Sequence, residues 1–334
     1  MRSFEYVRVS DVAMAVHAAQ NSDAATFARS QFLAGGTTLL DLMKLDVMQP
    51  ADVIDINDLS AEYGSVELTP NGLHLGALAR MATVADDPSV QREYPVIAQS
   101  LQLAASQQIR NMATLGGNVL QRTRCSYFRD VSWSTCNKRI PHSGCAAIDG
   151  VNRKHAVLGA SDDCIATYAG DFAQALVALD ADTEIVGVSG PRRLRFEVLH
   201  ALPGSTPQIE TVLAPGDVIT GFFIPAAPWA RRSLYLKVRD RASYEFALAS
   251  AAVAIDVQHD TVRTARIALG GVATKPWRAR AAESILQGKP LSAETARAAA
   301  ETAFADATVR KGNAYKVDLG KRILIRALLQ AADV

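Results

Sequence analysis

The sequence lacks the long apolar runs that a membrane span requires. Nowhere in its 334 residues does a stretch approach the roughly 18–20 apolar residues needed to cross a bilayer as a helix. It also lacks a charge imbalance. Lys and Arg number 35 against 34 Asp and Glu, so no overall field draws the chain to nucleic acid or to an anionic membrane. The opening MRSFEYVRVSDVAMAVHAAQ has neither a continuous hydrophobic region nor a small-residue cleavage site. No secretory signal is expected there, which leaves export as the passenger of a signal-bearing partner, or a cytoplasmic location. Internal repeats and low-complexity tracts are missing. Cysteine is missing from the first 124 and the last 170 residues. All four cysteines fall between Cys125 and Cys164, which points to a local cysteine-built site.

What is there is ordinary globular composition, with 49% hydrophobic and 21% charged residues, enough to bury a sizeable core without disulfides or metals. At this length two or three packed units are expected. Residues 1–60 read as a compact α/β unit: a helix over 12–19, a strand QFLA running into Gly35–Gly36, a helix in TTLLDLMK and a strand at 53–56. A second unit, 61–225, opens with strands SVELT (65–69) and LHLG (73–76), joined across Pro70-Asn71-Gly72. One helix is predicted over about 96–110, with Ile97, Leu101, Ala104, Ala105 and Ile109 on one face. Residues 121–168 show no sustained period, and so long an irregular stretch inside a compact domain needs a reason, such as a bound metal. Regular structure resumes at ALVALDADTEIVGV. In the third unit, 226–334, SLYLKV, SAAVAIDV and ARIALGGV read as strands. Two helices close the chain, the first with Ser292 as N-cap and Glu294 in its first turn.

Two glycine motifs carry chemistry. LAGGTTLLDLMK places Gly35 and Gly36 after a strand and before a helix, beside the hydroxyls of Thr37 and Thr38. Glycines let backbone approach an anion closely, and unpaired N–H groups at a helix start suit a pyrophosphate. The Rossmann G-x-G-x-x-G pattern is not present. ATLGGNV repeats the theme with Thr114, Gly117 and Asn118. Either pair alone can be a tight turn; two, each flanked by Thr or Asn, point to an extended nucleotide-binding groove.

With these motifs, then GDFAQALVALDADTEIV, YLKVRDRASYEFALASAAVAI and ALGGVATKPWRARAAE, the chain resembles the FAD-binding subunits of the xanthine dehydrogenase and aldehyde oxidoreductase family over nearly its whole length. The cysteine segment narrows the resemblance to flavin subunits of periplasmic aldehyde oxidoreductases and 4-hydroxybenzoyl-CoA reductases. The resemblance implies an α+β fold: a two-subdomain FAD-binding fold of the vanillyl-alcohol-oxidase/PCMH type plus a C-terminal CO-dehydrogenase-flavoprotein-like domain. It implies that Leu33, Ala34, Gly35, Gly36, Thr37, Thr38, Leu39 and Leu40 wrap the FAD pyrophosphate. Thr114, Gly117 and Asn118 then form the second wall, and Asp171 hydrogen-bonds the cofactor. Ile219 packs on the flavin or adenine, Lys237 approaches FAD, and Arg241 and Tyr244 border the ring. The plain alternatives are Asp171 as a helix cap, Lys237 as a surface lysine and Arg241 as a salt-bridge partner.

The cysteines Cys125, Cys136, Cys145 and Cys164 do not follow compact ferredoxin spacing. Spacing leaves two disulfides, a structural zinc and a 4Fe–4S cluster open; the resemblance implies the cluster. Arg122, Arg124, Arg129, Lys138 and Arg139 nearby suit a negatively charged cluster, a partner contact or a solvated loop face. His142 and His155 are expected at the surface or behind the ligands. The resemblance also implies partners: a large molybdenum-cofactor subunit that oxidises the substrate and a small subunit with two 2Fe–2S clusters. FAD would pass the electrons to an external acceptor. No acid–base pair stands out as a catalytic set, which argues against a stand-alone flavin oxidase. A zinc-braced binding module is the rival from another class.

Overall fold

The computed structural model describes residues 1–20 and 28–333. The chain begins with β1 (Glu5–Arg8), α1 (Val12–Ala19), β2 (Ser30–Leu33), α2 (Leu39–Lys44) and β3 (Asp52–Asp55). These strands form a parallel sheet in the order β1-β3-β2, since each helix carries the chain back to run the same way. Val16 and Ala19 of α1 pack on one face with Ile54; Leu42 and Met43 of α2 pack on the other with Val53. Phe128 and Cys136 join that second cluster, so the cysteine segment is seated against the first unit.

Next come α3 (Ser60–Tyr63), β4 (Val66–Thr69), β5 (Gly72–Gly76), α4 (Met81–Asp86), α5 (Pro88–Glu93), α6 (Pro95–Gln102), α7 (Gln107–Met112), α8 (Leu115–Val119), α9 (Ser126–Arg129) and α10 (Phe172–Ala178). Then follow β6 (Asp182–Gly187), β7 (Gly190–Arg195) and β8 (Val218–Pro225), which with β4 and β5 make an antiparallel sheet ordered β4-β5-β8-β6-β7. The single helix predicted over 96–110 is two. Ala105 takes a left-handed φ of 48°, and the Ser106 side chain accepts from Ile109 N–H to start a new helix. The cap interrupts a continuous apolar stripe, which periodicity alone does not reveal.

The last unit contains β9 (Ser233–Val238), β10 (Ala249–Gln258), β11 (Thr261–Gly270), β12 (Trp277–Arg278), α11 (Arg280–Leu286), α12 (Ala293–Ala303) and α13 (Tyr315–Ala332). The sheet is antiparallel, in the order β12-β11-β10-β9. Ser292 caps α12 in a capping box with Thr295. The helix α11 was not foreseen; its buried positions are Ala282, Glu283 and Leu286, too few apolar residues to show a period. Along β10, Ala252 and Ala254 enter the core of the second unit, while Ala251, Val253 and Ile255 face the terminal helices. Side chains alternate across a strand, so small alanines let one sheet be buried on both faces. Among the described residues no helix is long and apolar enough to cross a membrane.

His200 fixes the end of α8. Its Nε2–H donates to Val119 O at 2.9 Å, and the Tyr168 hydroxyl donates to the same carbonyl at 3.0 Å. Burial pushes His200 down to about 4, below the ordinary value of about 6.5. Between those values the unfolded chain binds more protons, so stability falls as pH falls from 6.5 toward 4. The group removes roughly 3 kcal/mol across that window. In urea unfolding at pH 7 and pH 4.5, His200→Gln is expected to lose less stability on acidification than the parent. Equal losses would show that His200 is not held neutral.

Candidate functional site

The two glycine motifs face one another. The loop between β2 and α2 passes so close to the end of α7 that a Cβ on Gly35 would stand 2.1 Å from Met112 O. Gly36 has φ +73°, a region that glycine enters without strain. The first glycine is therefore demanded by contact with the protein's own backbone, the second by its torsion. Opposite, the Thr114 Oγ1 accepts Gly117 N–H at 3.2 Å and starts α8. Gly116 N–H donates to Ala77 O at 2.7 Å, tying the second motif to the strand end after β5.

Between the motifs lies a cavity of about 200 Å³, lined by Ala34, Gly35, Gly36, Thr37, Thr38, Leu39, Thr114, Gly117 and Ile219. A second cavity of about 410 Å³ shares Thr37 and Thr38 with the first and is lined further by Asn118, Asp171, Arg241 and Tyr244. Of the sequence-predicted set, Leu33, Leu40 and Lys237 line neither. Leu33 packs with Leu42 and Val53, Leu40 lies on the exposed side of α2, and Lys237 stands behind Asp171. A ligand that spans both cavities finds an acceptor waiting: Asn118 Oδ1 is buried and has no hydrogen-bond partner among the described residues. Such an orphan in a cavity wall marks a group expected to be satisfied by what binds there.

Asp171 sits at the start of α10 without capping it. Its carboxylate accepts instead from the Tyr235 hydroxyl at 2.6 Å and from Lys237 Nζ at 2.7 Å. Lys237 also donates to Leu103 O at 3.0 Å. The side chains of Lys237 and Asp171 are 1% and 4% exposed, so Lys237 is not a surface lysine. Burial and the Asp171 charge push the Tyr235 phenol well above its usual value, so it remains a donor. At the cavity mouth Arg241 Nε donates to Tyr244 O at 3.1 Å, and the guanidinium stands 5.5 Å from the Tyr244 ring. That closes the turn on itself and leaves Tyr244 exposed with φ 53°.

The cysteine segment touches this cavity. Arg124 and Arg129 both donate to Asp41 of α2 at 2.9 Å, and Arg124 stacks 4.9 Å over Phe246. Partial burial works against ionisation of Asp41, but Arg129 and Arg124 hold it below the usual carboxylate range. Neither a solvated face nor a free basic patch describes these cations. Arg122 and Lys138 pair with Glu210, and Arg139 donates to the carbonyls of Tyr127, Phe128 and Trp133. Each is spent inside the fold. Asp41 and Tyr235 were not singled out from sequence. Asp41 lies within the first glycine motif, but its partners are more than 80 residues away.

All four cysteines are free thiols, so the disulfide reading fails. Cys136 and Cys145 face each other across an isolated antiparallel bridge. Burial drives the Cys125 thiol up to about 12. Among the described residues, no three metal-binding side chains stand close enough together to hold one ion. His142 is exposed. His155 is buried, with Nε2 3.2 Å from Cys125 Sγ, and burial pushes it down to about 4.

Residues 2–227 match the family described as the FAD binding domain in molybdopterin dehydrogenase, and residues 234–331 match the CO dehydrogenase flavoprotein C-terminal domain. The chain belongs to the FAD-binding subunits of the molybdopterin dehydrogenases. It is therefore an oxidoreductase subunit. It is 44% identical over 333 residues to the aldehyde oxidoreductase FAD-binding subunit PaoB of Escherichia coli (strain K12), covering 99% of each chain. To the glyceraldehyde dehydrogenase medium chain of Sulfolobus acidocaldarius it is 26% identical, covering 86% of this chain and 83% of that one. The fold agrees with a chain of the carbon monoxide dehydrogenase of Hydrogenophaga pseudoflava at a TM-score of 0.77 and 26% identity, over 99% of this chain and 98% of that one. These matches bear out the expected fold of an FAD-binding domain followed by a CO-dehydrogenase-flavoprotein domain.

Proposed function

We propose that this FAD-binding subunit is the electron-transfer component of a molybdenum-containing aldehyde oxidoreductase. Its partners would be a large molybdenum-cofactor subunit and a small subunit carrying two 2Fe–2S clusters. The observation that carries the reading is the pair of cavities that share Thr37 and Thr38 beside the two glycine motifs, together with full-length similarity to an aldehyde oxidoreductase FAD-binding subunit. FAD, when bound, supplies a centre that passes between one- and two-electron chemistry, while the protein supplies position and electrostatics. The Ala34–Leu39 loop and the Thr114–Asn118 motif hold its two sides, with Asn118 Oδ1 free to accept a hydrogen bond. Asp171 is fixed by Tyr235 and Lys237 in the wall of the larger cavity. Arg241 holds the Tyr244 turn in the lining of the larger cavity.

The reading includes a 4Fe–4S cluster on Cys125, Cys136, Cys145 and Cys164. Its support is the donor set, four free thiols on one segment with Cys136 and Cys145 facing across a bridge, together with the full-length similarity to an aldehyde oxidoreductase FAD-binding subunit. A single zinc ion asks all four sulfurs to lie about 2.3 Å from one point, whereas a cubane gives each cysteine its own iron.

The test is an ultraviolet–visible spectrum of protein prepared without air, with flavin, iron and zinc counted on the same sample. Flavin absorption over a broad shoulder, with about four irons per chain, is the expected result. Flavin with zinc and no iron keeps the family and removes the cluster. Absence of flavin from protein isolated with its partners overturns the proposal.

A further inference from the structure

One buried imidazole stands against the cysteine group. His155 is 5% exposed, and its Nε2 lies 3.2 Å from Cys125 Sγ. Beside an ionised sulfur, a ring nitrogen at that distance is stable only as the donor, because a lone pair would face negative charge.

The ring is not there by chance of a loose loop. Both neighbours of His155 are gripped by side chains from the C-terminal unit. Lys316 Nζ donates to Lys154 O at 2.9 Å and to Gly271 O at 2.6 Å. Asn313 Nδ2 donates to Ala156 O at 2.9 Å. A third tie runs through Asn152, whose Oδ1 accepts Gly312 N–H at 2.9 Å while its Nδ2 reaches Ile148 O at 3.0 Å. Lys316 is fully buried, donates to these two carbonyls, and is pushed down to about 7 by that burial. A lysine so placed is poorly explained by apolar packing, and well explained as a brace for the carbonyls flanking the imidazole.

We propose that His155 is a positioning residue for the cysteine site: its Nε2–H donates to the Cys125 thiolate and sets the reduction potential of the group bound there. Residues 312–316 form the brace that holds it. The inference rests on the cluster reading. A hydrogen bond to a ligand sulfur stabilises the more negative, reduced form and so raises the potential, and burial strengthens the effect. Cys125 Sγ thereby receives a side-chain donor.

The experiment compares His155→Leu with His155→Gln in the full chain isolated with its partners. Both fill the space, and only glutamine keeps an N–H. Iron is counted first, and the potentials of cluster and flavin are then read from one titration followed by electron paramagnetic resonance and absorbance. Expected are a lower cluster potential in His155→Leu, partial recovery in His155→Gln and an unchanged flavin potential in both. Iron-loaded His155→Leu with the parent's potential overturns the inference while leaving the cluster intact. A parent without iron removes the cluster reading, and the inference falls with it. Should neither variant load iron, the unmutated protein decides, grown with ¹⁵N-histidine and examined by electron spin-echo modulation in the reduced state. A histidine nitrogen coupled to the cluster supports the inference, and its absence overturns it.

Discussion

Lys237→Met is expected to destabilise the protein by about 3–5 kcal/mol, the usual result of removing one member of a buried ion pair. The partner left behind is Asp171, whose side chain is 4% exposed and would keep only the Tyr235 hydroxyl. Leu103 O loses its lysine donor as well, although Arg239 still reaches it at 3.1 Å. Leu103 ends α6, and the next residues, Ala104 and Ala105, line the larger cavity. The loss therefore falls on the cavity wall as well as on global stability, and flavin content should drop with it. Tyr235→Phe, which removes one hydrogen bond to the same carboxylate, should cost about 1.5–3 kcal/mol. In the double variant Asp171→Asn, Lys237→Met, the unpaired charge is gone, and part of the loss should return. Urea unfolding with flavin counted on each variant checks all three. A Lys237→Met protein within 1 kcal/mol of the parent, flavin retained, would mean that the pair contributes little (on the scale of an exposed ion pair).

On the cluster reading, Cys136→Ser is expected to take iron from about four atoms per chain to almost none and to abolish the broad shoulder beneath the flavin bands. Serine keeps the size of the side chain, so the apolar cluster of Leu42, Met43 and Phe128 in which Cys136 sits survives. The flavin loop rests on α2 and not on the sulfur itself, so flavin should stay. Iron, zinc and flavin analysis of parent and variant is the check. A variant that keeps four irons removes Cys136 from the ligand set, while one that loses flavin in step with iron shows that the cysteine segment supports the first glycine loop.

Much of the site was legible because its signals are local. Gly35 and Gly36 are neighbours in one short motif and Thr114 and Gly117 in another, and all act through backbone turns, so sequence carries them. Asp171 and Lys237 came from a resemblance, and the structure changes their meaning: they bind each other first. What sequence concealed are couplings over long separations. Asp41 gives no hint of Arg124 and Arg129, nor Lys154 of Lys316, because such pairs exist only once three units have packed. The break between α6 and α7 was hidden for the opposite reason. Its apolar stripe continues across the gap, and only the Ser106 cap betrays it.

The C-terminal grip on the cysteine segment also sets an order in time. Lys316 is made about 160 residues after His155, roughly 10–30 s later at ordinary rates of synthesis. Until then the strand of chain around His155 has no brace, and the four thiols have no closed shell around them. On the cluster reading, the braced form of this site would be complete only after residues 312–316 have been made.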